Sequence, residues 1–156
     1  MRAIISVIKF ALVLTAVFGI SFLLAGRSSG EEPLVDKRLS PYFEEWKRDM
    51  QKAGLDYSVA LSRVDRIEVC EDCKAGYSDR GDREIAVSRE QLEIGPNSVR
   101  GTLYHELGHS IFNLQHESCN IMRSKCWTEE EYELYWPDFL VEYINECNNN
   151  WYESRF

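Results

Sequence analysis

Histidine is one of the scarcest residues of this 156-residue chain: there are three, and all lie between residues 105 and 116. Basic residues are also in the minority, with 18 Lys and Arg against 26 Asp and Glu. An acidic chain repels phosphate groups, so this charge argues against binding to nucleic acid or to an anionic membrane surface. No internal repeat is visible, and the length fits one domain.

Long apolar runs are absent except at the N-terminus. There, Arg2 and Lys9 precede the apolar stretch Phe10–Ala25, which is typical of a secretory signal or of an N-terminal membrane anchor. Positive charge before the stretch favours transfer of the rest of the chain across the membrane. Without residues 1–26 the net charge changes from −8 to about −10, because two basic residues are lost. We therefore expect an exported protein, periplasmic or extracellular, either released or anchored by residues 1–26.

Two features are missing after this stretch. No cysteine follows it directly, which argues against a lipoprotein. Residues 27–39 form a short charged linker that is too short for an inhibitory pro-domain, so activation by removal of a pro-segment is not expected. We assign residues 40–156 to the folded domain.

The chain has five cysteines, which in an exported protein favour disulfides over reduced thiols. Cys70 and Cys73 either close a tight loop or pair elsewhere, and a bridge between Cys119 and Cys126 would fix the loop between them. Alternatively, four cysteines could bind a structural zinc ion, although the six residues between Cys119 and Cys126 exceed the usual ligand spacing. The fifth cysteine is then free or pairs between chains, and the connectivity stays open.

The three histidines fall within the segment HELGHSIFNLQH. His105, Glu106 and His109 form an H-E-x-x-H motif, which on a helix places two imidazoles on one face. Such a pair binds Zn²⁺ at about 2.0–2.1 Å and leaves room for a third ligand and a water molecule. Glu106 lies beside the pair and can take the proton of that water. The segment therefore predicts a catalytic zinc site.

A stripe of apolar residues at intervals of three and four predicts the helix independently of the motif (Val99, Leu103, Leu107, Ile111 and Leu114). The two motif histidines lie about 200° around the axis from this stripe. Asn97 is expected to cap the helix after the breaker pair Gly95-Pro96, and Asn113 to end it in the left-handed conformation. A turn there would bring His116 back to the metal as the third ligand.

With Met122 included, the sequence resembles the metzincin clan of zinc peptidases, most nearly the matrixin-like members. Their motif H-E-x-x-H-x-x-G-x-x-H precedes a turn that holds a methionine beneath the metal. His105, Glu106, His109, His116 and Met122 match these positions in order. The resemblance covers about residues 83–136 and has two departures. Six residues rather than five separate the last two histidines, and an asparagine stands where glycine is expected.

The resemblance implies a small zincin-like α+β domain that uses Zn²⁺ and hydrolyses internal bonds of peptide or protein substrates. It implies that Glu106 is the general base and that Met122 forms an apolar floor below the metal. It also implies that the strand before the zinc helix lines the cleft and pairs with extended substrate. Residues 83–88 are the candidate for that strand.

Three alternatives stay open. In a gluzincin-type peptidase a glutamate on a later helix is the third zinc ligand, and Glu129, Glu130 and Glu133 lie where such a residue occurs. The second alternative is an exported, non-catalytic protein that binds zinc for stability. The third is an interaction module of the cell envelope without a metal.

The remaining patterns predict a short twisted sheet and further helices. Ser40-Pro41 opens a helix that ends at Gly54, residues 58–70 resemble one or two strands, and residues 70–81 a loop. A link is expected between residue 88 and the zinc helix.

The C-terminal helix is predicted to start with a capping box at Thr128 and to be kinked or restarted by Pro137. Its apolar stripe extends to about Cys147, and residues 148–156 are expected to form a loosely held tail.

Overall fold

The structure is a computed structural model that describes residues 32–79 and 83–153, excluding the side chains of residues 79 and 151–153. The signal or anchor expected in residues 1–26 lies outside the described residues. Within the described ranges, no helix combines the length and the apolarity needed to cross a membrane.

The described chain is a mixed α/β domain, which confirms the expected combination of a small sheet with helices. Its elements follow in the order β1 (Leu34–Val35), α1 (Ser40–Lys52), α2 (Ser58–Leu61), β2 (Arg66–Cys70), β3 (Gly76–Asp79), β4 (Glu84–Ser88), α3 (Arg89–Ile94), α4 (Pro96–Phe112) and α5 (Glu129–Glu153).

The domain begins earlier than residue 40. Strand β1 lies in the predicted linker and pairs in parallel with Arg66 and Ile67 of β2. Pro33 and Leu39, also in the linker, are buried. Residues 32–39 therefore belong to the folded domain.

The four described strands form one sheet in the order β1-β2-β4-β3, in which β3 alone is antiparallel to its neighbour. Strand β4 has partners on both sides, so the expectation that residues 83–88 form the exposed edge beside the cleft is wrong. The edge strand next to β4 is β3, in the segment expected to be a loop. Its sequence, Gly-Tyr-Ser-Asp, has no apolar alternation that would have predicted a strand.

Local hydrogen bonds explain the unpredicted short helices. The first part of segment 58–70 is helix α2 rather than a strand, because Asp56 accepts hydrogen bonds from the amide and hydroxyl of Ser58 and so starts a turn. Ser88 caps helix α3 in the expected link, where its hydroxyl accepts from the amide of Gln91.

Helix α1 packs an apolar face on the back of α4. Phe43, Trp46 and Met50 are buried, and the Trp46 ring lies 6.2 Å from that of Phe112. The helix starts at Ser40 with Leu39 as the N-cap, one residue earlier than predicted.

Helix α5 begins as predicted, with a capping box in which the Thr128 amide donates to Glu131 and the Glu131 amide donates to Thr128. It then runs through Pro137 to Glu153, so the predicted restart and the loose tail up to residue 153 are wrong. Pro137 is exposed, where water can satisfy the carbonyl that its missing N–H leaves unpaired.

Buried hydroxyl groups lock the back of α4 between α1 and α5. The Tyr143 hydroxyl donates to the Tyr104 carbonyl at 2.8 Å and accepts from the Trp46 indole at 3.4 Å. The Tyr104 hydroxyl donates to Asp49 at 2.9 Å. The histidine-bearing front of α4 is thus held on a fixed support.

Candidate metal centre

The structure brings the three histidines together. His105 and His109 lie one turn apart on α4, and His116 folds back onto them after the turn. The Nε2 atom of His109 is 3.0 Å from Nε2 of His105 and 3.1 Å from Nε2 of His116. Among the described residues, this is the one group of three or more His, Cys, Asp or Glu side chains placed to hold a metal ion.

The other ring nitrogens show which atoms face the centre of the cluster. Nδ1 of His105 lies 2.8 Å from the Ile121 carbonyl, and Nδ1 of His109 lies 2.7 Å from the Leu114 carbonyl. A carbonyl only accepts hydrogen bonds, so a neutral ring at either position carries its proton on Nδ1 and presents an Nε2 lone pair. Two such lone pairs 3.0 Å apart can be shared by one cation.

The donor set fits zinc. Tetrahedral bonds of about 2.0–2.1 Å to two imidazoles place their nitrogens about 3.3 Å apart, slightly more than the separations found here. Hydrogen bonds from the second ring nitrogen to backbone carbonyls are usual for metal-binding histidines. Burial lowers the pKa of His105 to about 4, although the Ile121 carbonyl opposes this shift, so the ring is neutral and able to ligate at neutral pH.

The turn after α4 accommodates six residues between His109 and His116, one more than the motif that the sequence resembles. Asn113 ends the helix in the left-handed conformation, with φ 56° and ψ 28°, as predicted. Leu114 follows with its side chain buried, and its carbonyl forms the hydrogen bond with Nδ1 of His109. The turn therefore both returns His116 to the cluster and orients His109.

The start of α4 differs from the prediction. The helix begins at Pro96 with Gly95 as the N-cap, so Asn97 is not the cap. Instead, the carboxylate of Glu129 in α5 accepts from the amides of Asn97 at 3.0 Å and Ser98 at 2.8 Å. A methyl group added at Gly95 would lie 2.6 Å from the Glu129 carboxyl carbon, so glycine leaves room for this cap.

The glutamates of the gluzincin alternative lie apart from the histidines. Glu129 binds the opening turn of α4, and His105 is eight residues beyond Asn97, or about 12 Å along the axis. Glu130 and Glu133 are exposed, and neither belongs to the histidine cluster. No described contact brings a glutamate of α5 to the candidate centre.

Met122 packs against the helix that carries the histidines. Its side chain is fully buried, and a methyl group added at Gly108 would lie 2.7 Å from its sulfur. Met122 belongs to the loop below α4, which connects α4 to α5 (residues 113–128). This loop is held by hydrogen bonds from the Met122 amide to the Cys119 carbonyl and from the Glu117 amide to the Met122 carbonyl. Because the same loop supplies the Ile121 carbonyl, it both packs under α4 and orients a histidine.

Glu106 is buried beside the cluster, with 6% of its surface exposed. Strand β3 covers it: the Ser78 hydroxyl bonds to the carboxyl group, and a methyl group added at Gly76 would lie 3.0 Å from Oε1 of Glu106. Burial raises the pKa of Glu106 to about 7, and the Ser78 bond opposes the rise. Such a carboxyl group can exchange a proton near neutral pH. Sequence reasoning missed Gly76 and Ser78, for which the sequence gives no signal beyond the glycine itself.

The cysteines pair differently from one expectation. Cys70 and Cys73 form a disulfide with Cα atoms 5.8 Å apart, the tight-loop alternative. The expected bridge between Cys119 and Cys126 is wrong: neither is paired, and Cys126 contacts Thr102 and Tyr132, whereas Cys119 lies near Glu146. The four-cysteine zinc site is not found among the described residues.

Comparisons with known proteins give no identification. No protein-family model matches the chain, and neither curated proteins nor solved structures give a significant match.

Proposed function

We propose that this protein is an exported zinc-dependent endopeptidase with a zincin-like fold. His105, His109 and His116 hold the ion, and Glu106 is the general base. The observation that carries the proposal is the convergence of three imidazole Nε2 atoms, two of them on rings oriented by backbone carbonyls. Structural zinc sites normally have four protein ligands, whereas three ligands leave a coordination position for the reaction.

A zinc ion bound there would act as a Lewis acid, which lowers the pKa of water and polarises the scissile carbonyl. Glu106 accepts a proton from the attacking water molecule and delivers it to the leaving amine. A carboxyl group whose pKa burial raises to about 7 suits both transfers. The Ser78 hydroxyl supports Glu106 in this role by restricting the carboxyl group.

Edge strand β3 is the proposed place for extended substrate. Its inner edge pairs with β4, and its Gly76–Ser78 segment packs on Glu106. A peptide that added to the outer edge would run past the general base as an additional strand. This transfers the cleft-lining role expected of residues 83–88 to the neighbouring strand.

The gluzincin alternative has no observation in its favour, because Glu129 is engaged as a helix cap. Export is part of the proposal on sequence grounds alone, from the N-terminal apolar stretch and the five cysteines. The non-catalytic zinc protein and the metal-free module are outcomes of the following test.

The test is metal content and hydrolysis of a peptide library by the purified chain and three variants. We expect about one zinc ion per native chain. Glu106→Gln keeps the size of the side chain and should retain zinc, but hydrolysis should fall by about 10²–10⁴-fold because the base is lost. The matched control is Glu130→Gln, an exposed glutamate of α5, which should keep both zinc and activity.

His116→Ala should lower the zinc affinity sharply by removing one of three ligands. A folded, zinc-loaded native chain that cleaves neither diverse peptides nor unfolded proteins would favour the zinc-stabilised binding protein. A folded chain that binds no zinc would favour the interaction module and refute the metal site.

A further inference from the structure

Two of the free cysteines lie in the same region of the core. With Cys70 and Cys73 paired, Cys119, Cys126 and Cys147 carry free thiols. Cys147 on α5 is fully buried, and Cys119 in the loop below α4 packs against the same hydrophobic core.

The loop docks on the part of α5 that carries Cys147. The backbone and side-chain amides of Asn120 donate to Glu142 at 3.3 and 2.6 Å. Gly108 meets both the Met122 sulfur and the Tyr143 ring, which brings those side chains together. Burial raises the pKa of Cys147, and the charge of the neighbouring Cys119 adds to the rise. Glu142 and Tyr143 precede Cys147 by five and four residues, so these contacts bring the loop to the turn of α5 next to Cys147.

Cys126, in the loop before α5, lies beside a different part of that helix. The Cys126 thiol forms a hydrogen bond with Thr102. It also interacts electrostatically with Tyr132, near the start of α5. Tyr132 precedes Cys147 by fifteen residues, which is about 22 Å along a helix. Disulfides need Cα atoms within about 7 Å, so Cys126 is not positioned to pair with Cys147.

We propose that Cys119 and Cys147 form a second disulfide in an oxidising compartment, which joins the loop below α4 to helix α5. The thiolate of Cys119, the less buried cysteine, attacks a disulfide oxidant such as oxidised glutathione and releases one glutathione. The Cys147 thiol then gives up its proton as its sulfur attacks the Cys119 sulfur of the mixed disulfide, and the second glutathione is released. The two cysteines lose two electrons and two protons, which leave with two molecules of reduced glutathione.

The bond would fix the loop that presents the Ile121 carbonyl to His105 and packs Met122 under α4. It does not depend on the proposed peptidase activity, because loop docking on α5 involves no metal. Cys126 would remain the single free thiol.

The test is peptide mapping of the full chain after equilibration with oxidised glutathione. Free thiols are alkylated in denaturant, and the chain is cleaved without reductant after Lys, Arg and Glu. Arg123 separates Cys119 from Cys126, and Glu129 separates Cys126 from Cys147. We expect linked Cys119 and Cys147 peptides and an alkylated Cys126. Alkylation of both Cys119 and Cys147, or a link from Cys119 to Cys126, would overturn the proposal.

Thermal unfolding with and without a reductant gives a second readout. Reduction of a disulfide that closes the loop of residues 119–147 should lower Tm by about 10 °C. Cys126→Ser should show the full reductant-dependent shift, whereas Cys119→Ser should show only the part due to the Cys70–Cys73 bond. Equal shifts in both variants contradict the proposal. If Cys119→Ser does not fold, mapping of the native chain decides alone.

Discussion

Replacing Glu129 tests most directly whether this acidic residue of α5 caps helix α4 or binds the metal. Its carboxylate accepts from two amides of the first turn of α4, where the partial positive charge of the helix dipole also favours an anion. We predict that Glu129→Ala destabilises the domain without changing its zinc content. A gluzincin-type ligand would behave in the opposite way.

The magnitude follows from the two lost bonds. Loss of an N-terminal cap costs about 0.5–2 kcal/mol, and a charge near a helix N-terminus contributes about 0.3–1 kcal/mol. Glu129 is partly exposed, so water replaces part of the lost bonding. We therefore expect a loss of about 1–2 kcal/mol in the free energy of unfolding, which is about 3–8 °C in Tm.

Urea unfolding of the zinc-free chain measures the stability, and metal analysis of the loaded chain measures the stoichiometry. Glu130→Ala is the matched control, because it removes an adjacent acidic residue that is exposed. It should change the free energy of unfolding by less than about 0.5 kcal/mol. Zinc loss in Glu129→Ala at unchanged stability would refute the capping role and restore the gluzincin alternative.

Two further predictions concern stability. Tyr143→Phe should cost about 1–2 kcal/mol in urea unfolding, because it removes the hydroxyl that bonds the Tyr104 carbonyl and the Trp46 indole; an unchanged midpoint would contradict this. Arg38→Ala should cost less than about 1 kcal/mol, since its bonds lower the pKa of the partly exposed Asp36. A lowered carboxyl pKa stabilises the fold above the unfolded value of about 3.9, so the difference from the native chain should be present at pH 6 and shrink below pH 4. A difference independent of pH would exclude this cause.

The histidine cluster was predictable because it is local in sequence. The motif histidines share one helix face, and the turn at Asn113 depends on a single residue that tolerates positive φ. The carbonyls that orient His105 and His109 come from Ile121 and Leu114, so the histidines and these carbonyls lie within seventeen residues. Helical periodicity and one turn preference suffice for such a segment.

The surroundings of Glu106 were not predictable for the opposite reason. Gly76 and Ser78 are about thirty residues away in sequence, and their strand exists because it pairs with β4. A short polar strand has no periodic signal of its own. Contacts between distant segments also explain the wrong cysteine pairing. Cys119 and Cys126 are near in sequence, but Cys119 lies near Glu146 and Cys126 near Tyr132, at different ends of α5.

The two halves of the proposed site thus depend on different parts of the fold. The histidines need only α4, its C-terminal turn and the loop below it, whereas Glu106 also needs β3 to pack on α4. A change that displaces the sheet edge would leave the three imidazoles together but expose the carboxyl group, and solvation would return its pKa towards the ordinary range. Zinc binding is therefore a test of α4 and its turn, and hydrolysis is a test of the contact between α4 and β3. A variant of β3 that retains zinc but loses hydrolysis would separate the two.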